Sequence, residues 1–292
     1  MSRRLSSPSV VKEIIKKHGF RFSKSLGQNF LINEEIVDGI LDGADITEDD
    51  IVIEIGPGIG VMTQELAERA KKVIAIEIDH ALLPILDETL EDYPNVTVVS
   101  GDVLKVDLKK LIEEECMGQK PKVVANLPYY VTTPIIMRFL EEGIPVSDIV
   151  VMIQKEVADR ITADPGNKTY GAISVAVQYF SDPSIVLRVP RSVFIPQPNV
   201  DSSVIRLKIR ETPAVEVDDR GMFFRTVRAA FGKRRKTLLN ALSTGNLGVG
   251  KEQVGKALLD CDIDPKRRGE TLSIDEFATL SNTILAIIKS TN

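Results

Sequence analysis

Three carboxylates stand at the ends of three short apolar runs: Glu54 within Ile51–Ile55, Glu77 after Val73–Ile76, and Asp102 after Val96–Val99 in Ser100-Gly-Asp102. The first run leads into Gly56-Pro-Gly-Ile-Gly60. Glycines between a strand and a helix let the backbone approach a ligand, and the helix N-terminus presents free N–H groups. A dinucleotide-binding turn would place its third glycine at 61, where this chain has Val61. The turn alone leaves three readings open: a nucleoside cofactor, a nicotinamide dinucleotide, or a structural turn. Glu77, about twenty residues on, can accept from two ribose hydroxyls, which both cofactor types carry. Asp102 can accept from an adenine amino group. Any one acid could be a solvated strand end. Three in register suit a cationic sulfonium nucleoside, S-adenosylmethionine, and oppose a pyrophosphate.

A fourth run, Lys122–Ala125, ends in Asn126-Leu-Pro-Tyr129. Methylating an aryl amine is difficult because the nitrogen lone pair is delocalised into the ring. The Asn126 side-chain oxygen and a backbone carbonyl, both accepting from the amino group, would localise that pair. Pro128 removes an N–H and stiffens the turn. Tyr129 offers a ring on which a flipped-out base can stack. Catalysis would then be positioning plus carbonyl electrostatics, with no general base required before transfer.

These residues need a sheet to hold them. The runs Ile51–Ile55, Val73–Ile78, Val96–Val99, Lys122–Ala125 and Ile149–Ile153 are β-branched and short, and read as buried parallel strands. Thr63–Ala70, His80–Leu90 and Pro134–Glu142 have helical composition. The alternation predicts an α/β, doubly wound, Rossmann-like sheet with its ligands at the strands' C-terminal ends. Ala172–Phe180 and Ser203–Ile209 read as a further, antiparallel pair of strands, separated by the proline-bearing Pro183–Pro198. Glu211–Arg220 reads as a linker to a small all-α C-terminal domain with helices at Met222–Leu242, Lys251–Asp260 and Ile274–Lys289.

The 292 residues carry a net charge of −5, distributed unevenly. Residues 1–33 hold Arg3, Arg4, Lys12, Lys16, Lys17, Arg21 and Lys24 against Glu13, a local +6; residues 220–251 hold eight cations and no acid, which leaves −19 for the rest. Two basic segments on an acidic body form a footprint for a polyanion, although either alone could be a solvated face. In the second segment Lys233-Arg-Arg-Lys236 is expected to continue the helix from Met222. Arg225, Arg228, Arg235 and Lys236 would then share a face that reaches phosphates, with Lys233 and Arg234 beside it. Two cysteines and two histidines without ligand spacing predict no metal site. A polar, basic N-terminus and the lack of a long apolar run predict a cytoplasmic protein with no membrane partner.

Seven segments carry a more specific signal: Ser25-Leu-Gly-Gln-Asn-Phe-Leu31; Glu54-Ile-Gly-Pro-Gly58; Glu77; Gly101-Asp102; Asn126-Leu-Pro-Tyr129 with Thr133-Pro134; Phe194-Ile-Pro-Gln-Pro198 with Val200-Asp-Ser-Ser203; and Phe231-Gly-Lys-Arg-Arg-Lys-Thr237. Together they resemble the ribosomal RNA small-subunit adenine N6,N6-dimethyltransferase family. The resemblance implies transfer of methyl groups from S-adenosylmethionine to N6 of two adjacent adenosines. These lie in the 3′-terminal hairpin loop of small-subunit rRNA, in a 30S or precursor particle. It also implies cofactor contacts at Asn29, Leu31, Gly56, Gly58, Glu77, Asp102 and Asn126. A base pocket of Asn126, Leu127, Pro128 and Tyr129 would have Phe194 opposite. The implied organisation is a basic segment 1–33 closing over the cofactor, a catalytic domain 34–210 and a helical RNA-binding domain 219–292, in a monomer. Tyr130 departs from the pattern, since many relatives have Asn there; altered packing with unchanged chemistry is expected. The rival readings are a large-subunit rRNA adenine methylase of the erythromycin-resistance type, a DNA adenine methylase, and a non-catalytic ribosome-assembly factor.

Overall fold

The computed structural model describes residues 5–23 and 26–291; Arg3, Arg4, Lys24 and Ser25 lie outside them. In chain order the elements are α1 (Pro8–Lys17), β1 (Phe30–Leu31), α2 (Glu34–Gly43), β2 (Ile51–Ile55), α3 (Val61–Arg69), β3 (Lys72–Glu77), α4 (Leu83–Thr89), β4 (Val96–Ser100), α5 (Leu108–Glu115), β5 (Lys122–Asn126), α6 (Thr132–Glu141), β6 (Asp148–Gln154), α7 (Lys155–Ile161), α8 (Ala172–Phe180), β7 (Ser181–Val189), β8 (Phe194–Ile195), β9 (Ser202–Ile209), α9 (Arg220–Phe231), α10 (Leu238–Leu242), α11 (Lys251–Asp260) and α12 (Ile274–Thr291). Contacts divide the chain into one unit of Met1–Ala158 with Pro183–Ile209, and a second of Asp159–Asp182 with Arg210–Asn292. The second unit thus takes residues 159–182 from the stretch expected to be catalytic.

The first unit holds a seven-stranded sheet in the order β4-β3-β2-β5-β6-β9-β7. The five strands read from the sequence are its parallel part, with β2 pairing with β3 on one side and β5 on the other. β2 is buried at every position because both faces of a parallel sheet are covered. β9 runs antiparallel to β6. β1 and β8 form a separate antiparallel pair, with Leu31 opposite Phe194. The stretch Gln28–Leu31, unremarkable as sequence, therefore ends in a strand.

Two expectations fail. Ala172–Phe180 is helix, not strand. A continuous apolar run cannot be told from a buried helix by periodicity, and here one is capped, with the Gly171 N–H donating to Ser174 Oγ at 3.0 Å. Tyr179 packs against Phe223 and Phe224 in the second unit's core. The strand begins after it, as β7 at the sheet edge, where Pro183 costs no ladder bond. Met222–Leu242 is two helices. α9 stops at Phe231, and Lys233-Arg-Arg-Lys236 forms a turn before α10. Gly232 and four adjacent cations make a poor helix. The N–H groups of Leu238 and Leu239 instead donate to Arg267 and Pro265 carbonyls, at 2.7 and 3.3 Å. The single helical face expected for Arg225, Arg228, Arg235 and Lys236 does not exist.

The β6–β9 pair is pinned by one buried charge. Asp148 is 6% exposed and accepts from Arg206 Nε at 2.8 Å, while the same guanidinium binds Asp45 beyond α2. Removing the arginine leaves a buried carboxylate without a cation. Fully buried pairs lose ~3–5 kcal/mol on such a change. Arg206 retains some exposure, so Arg206→Ala is expected to cost about 2–3 kcal/mol. Urea unfolding with an unchanged midpoint would show the pair to be dispensable.

Candidate active site

Strand order reverses at β2, so the C-terminal ends of β2 and β5 open a crevice. The chain leaves β2 with the Gly56 N–H held by the Ile76 carbonyl at 2.9 Å. Gly58 sits at φ +63°, and a Cβ there would lie 3.1 Å from the Phe30 ring. Its N–H donates to Glu77 Oε2 at 3.3 Å, and Glu77 Oε1 accepts from the Asp79 N–H at 2.7 Å. Burial raises the Glu77 pKa against these backbone donors. Glu54 is buried more completely, and its oxygens meet no described donor in good hydrogen-bond geometry, the Thr63 hydroxyl being the polar group beside them. Desolvation, opposed by the Thr63 hydroxyl and aided by the nearby Glu77 charge, pushes its pKa to about 8. Glu54 therefore keeps its proton at neutral pH.

Across the crevice, Asn126 Nδ2 donates to the Asn29 carbonyl at 3.0 Å. That bond fixes which way round the amide lies and leaves Oδ1 as a free acceptor. The Pro128 carbonyl is already used by the Val131 N–H and Thr132 Oγ1, at 3.1 and 3.2 Å. The Leu127 carbonyl accepts from no described residue. Tyr129 is held by a 2.8 Å hydrogen bond between its hydroxyl and Ser202 Oγ. Tyr130 is 63% exposed beside Gly27.

A cleft of roughly 870 Å³, including its open mouth, brings together Asn29, Leu31, Gly56, Gly58, Glu77, Asn126, Leu127, Pro128, Tyr129 and Phe194. Asp102 does not line it. Asp102 Oδ1 accepts from the Leu104 N–H at 2.9 Å and Oδ2 faces Lys105 at 3.4 Å. Gln28, Ile78 and Leu82 are among the lining residues that sequence reasoning left without a role of their own. Gln28 bridges Ser23 and Asp79, with bonds of 2.8 and 2.7 Å. Ile78 is 46% exposed, and an isoleucine directly after a strand-end acid was the available signal. Leu82 completes that apolar wall. In the second unit Arg225, Arg228, Lys233, Arg234, Arg235 and Lys236 are all exposed, and Arg234 donates to the Lys168 carbonyl. Among the described residues no His, Cys, Asp and Glu cluster could hold a metal, and no helix is long and apolar enough to cross a membrane.

Comparison with known proteins bears on what this cleft does. The chain is 60% identical over 281 residues to the ribosomal RNA small subunit methyltransferase A of Alkaliphilus oremlandii, covering 96% of this chain and 98% of that one. A dimethyladenosine transferase from Plasmodium falciparum has a similar structure, with a TM-score of 0.73 at 28% identity over 86% of this chain and 95% of the other. The 23S rRNA methyltransferase ErmE gives a TM-score of 0.68 at 26% identity, over 87% and 99%. Residues 19–285 match the sequence profile of one family. An identity this high along nearly the full length, with the same family matched from before β1 into α12, leaves one conclusion: the chain belongs to the ribosomal RNA adenine dimethylase family.

Proposed function

We propose that this chain dimethylates N6 of two adjacent adenosines in the 3′-terminal hairpin of small-subunit rRNA, within a 30S or precursor particle, using the cleft of its first unit. The observation that carries this reading is the pairing, in one cleft, of a buried acid that faces no cation with the two unused acceptors of the Asn126–Leu127 corner. The reading fits a monomeric cytoplasmic enzyme. A large-subunit target is not favoured, since identity is 60% to a small-subunit enzyme and 26% to ErmE.

S-adenosylmethionine is the methyl donor, and when bound it supplies an electrophilic methyl group on a cationic sulfur. The site fits it: the orphaned Glu54 oxygens want a cation, Glu77 is preorganised as an acceptor, and Gly58 lets backbone come close. Glu77 holds the ribose hydroxyls, Ile78 offers apolar surface to the adenine, and Asp102 accepts from its amino group. Asn29 and Leu31, with Gly56, complete the wall. The segment 1–33 closes over that wall, the rest of the first unit is the catalytic domain, and the second unit, with residues 159–182 added to the expected 219–292, is the RNA-binding domain.

The target adenine stacks between Tyr129 and Phe194. Asn126 Oδ1 and the Leu127 carbonyl accept its two amino hydrogens, which directs the nitrogen lone pair out of the ring plane. Pro128 stiffens the corner. No carboxylate is required at N6, because its proton can leave after the new N–C bond forms. The monomethylated amine keeps one N–H, so a single acceptor still orients it for the second transfer. The exposed cations of the second unit, Arg225, Arg228 and Lys233 to Lys236, contact RNA phosphates. The decisive experiment is transfer of labelled methyl to purified unmethylated small subunits, followed by mapping of the labelled nucleotide. Label in large-subunit RNA or DNA would overturn the assignment.

Glu77→Ala should weaken S-adenosylmethionine binding by roughly 1.5–3 kcal/mol, the scale for a hydrogen bond to a charged group. Calorimetry on the folded variant checks it, and unchanged affinity would remove Glu77 from the site.

Asn126→Ala should slow methyl transfer by about two to three orders of magnitude, the scale for one oriented polar group. Single-turnover kinetics on bound RNA measure this; near-native rates would refute the lone-pair role.

Glu54 makes the pH dependence readable. A free glutamate sheds its proton near 4.5 and folded Glu54 near 8, so between these values the folded state binds more protons and stability falls as pH rises. A cationic ligand beside Glu54 favours the carboxylate. Calorimetry at pH 7 in buffers of different ionisation enthalpy should therefore register release of close to one proton on S-adenosylmethionine binding. Glu54→Gln should abolish that release. Buffer-independent heats in the native protein would place the cation elsewhere.

A further inference from the structure

The second unit contains a hollow beside the turn that follows α9. Arg225 and Arg228 stand three residues apart on the outer side of α9, and Lys233 follows the helix end at Gly232. The opposite wall is the loop after α10, where Thr244 and Asn246 present polar side chains. The loop reaches α9 because residue 245 is glycine: a Cβ there would stand 2.3 Å from the Ala229 Cβ. The result is an open concavity of about 670 Å³ whose three charged lining residues are all cations. Arg225 has only a 4.0 Å contact with Met222 Sδ, and none of the three meets a carboxylate among the described residues. Elsewhere Arg69, Arg138, Arg206 and Arg267 each bind an acid. Three unpaired cations around one hollow repel each other unless an anion enters.

The neighbouring run behaves differently. Arg234 donates to the Lys168 carbonyl, so it ties down a loop of its own unit. Arg235 and Lys236 lie on the turn and do not line the hollow. We propose that Arg225, Arg228 and Lys233 form a socket for the phosphodiester backbone of an RNA strand, and that this socket, not the run Arg234 to Lys236, carries most of the electrostatic affinity of the second unit. The proposal rests on the RNA-methyltransferase reading and gives it a specific anchoring point.

The test compares two triple variants that remove the same charge: Arg225→Gln, Arg228→Gln and Lys233→Gln against Arg234→Gln, Arg235→Gln and Lys236→Gln. Thermal melts select folded protein, and glutamine keeps much of each side chain's bulk. Affinity for purified unmethylated small subunits is measured from 50 to 200 mM salt. The socket variant should lose about 0.7–0.9 in log–log slope for each of three contacts, which is about 2–3 in all, and the run variant no more than one contact's share. Equal loss in both variants, or a native slope in the socket variant, overturns the proposal. A third arm titrates inorganic pyrophosphate: if the socket variant loses pyrophosphate binding but keeps the native slope on subunits, the hollow is a small-anion site and the proposal is wrong. The native protein's own salt slope and labelled nucleotide test the RNA reading separately, so the two failures are distinguishable.

Discussion

A parallel sheet covered on both faces has nowhere to place polar groups except at the ends of its strands. That constraint governs the first unit. β2 is buried at every position and paired on both sides, so its first chance to present backbone to a ligand is Gly56. Because the chain proceeds from β2 to β3 on one side and returns through β5 on the other, the strand ends there diverge and leave a crevice. The glycine turn, Glu77 and the Asn126 corner all stand around that one opening. The same residues at the opposite end of the strands would meet the loops that feed the sheet.

Within the crevice, burial and hydrogen bonding assign different roles to similar groups. Glu54 and Glu77 are both buried acids, yet Glu77 meets two backbone N–H groups and Glu54 meets none. The first is a preorganised acceptor. The second is an acid whose ionisation burial opposes. Asn126 shows the same economy: donating through Nδ2 to Asn29 settles the amide orientation before any substrate arrives. The bond also ties the Asn126 corner to the segment before β1, which reaches Asp79 through Gln28 and Phe194 through the β1–β8 pair. A change in residues 26–31 is thus felt at the reactive corner without touching it.

The second unit is organised by aromatic packing and charge. Tyr179, Phe223 and Phe224 pack together, while the cations of α9 and the following turn point away from that core. Breaking the helix at Gly232 separates charges that would otherwise stack along one face. It also folds Lys233 towards Arg225 and Arg228 and turns a stripe into a hollow.

The sequence alone determined the parallel strands, because alternation of β-branched runs with amphipathic stretches is a local pattern, and β2 matches its run residue for residue. Glu54, Glu77 and the Asn126-Leu-Pro-Tyr129 corner were also legible, since residue type and spacing are local, whereas the same reasoning put Asp102 in the site and it lies outside the cleft lining. Local patterns failed at Ala172–Phe180, where uniform apolarity fits strand and buried helix equally and a cap at Gly171 with an aromatic core decided. They failed again at Lys233 to Lys236, where a turn replaces the expected helix and the N–H groups of Leu238 and Leu239 just beyond it donate to the Arg267 and Pro265 carbonyls. The contacts of Gln28 and Gly245 were invisible for the same reason. Each depends on a partner distant in sequence, and only the tertiary structure decides which distant groups meet.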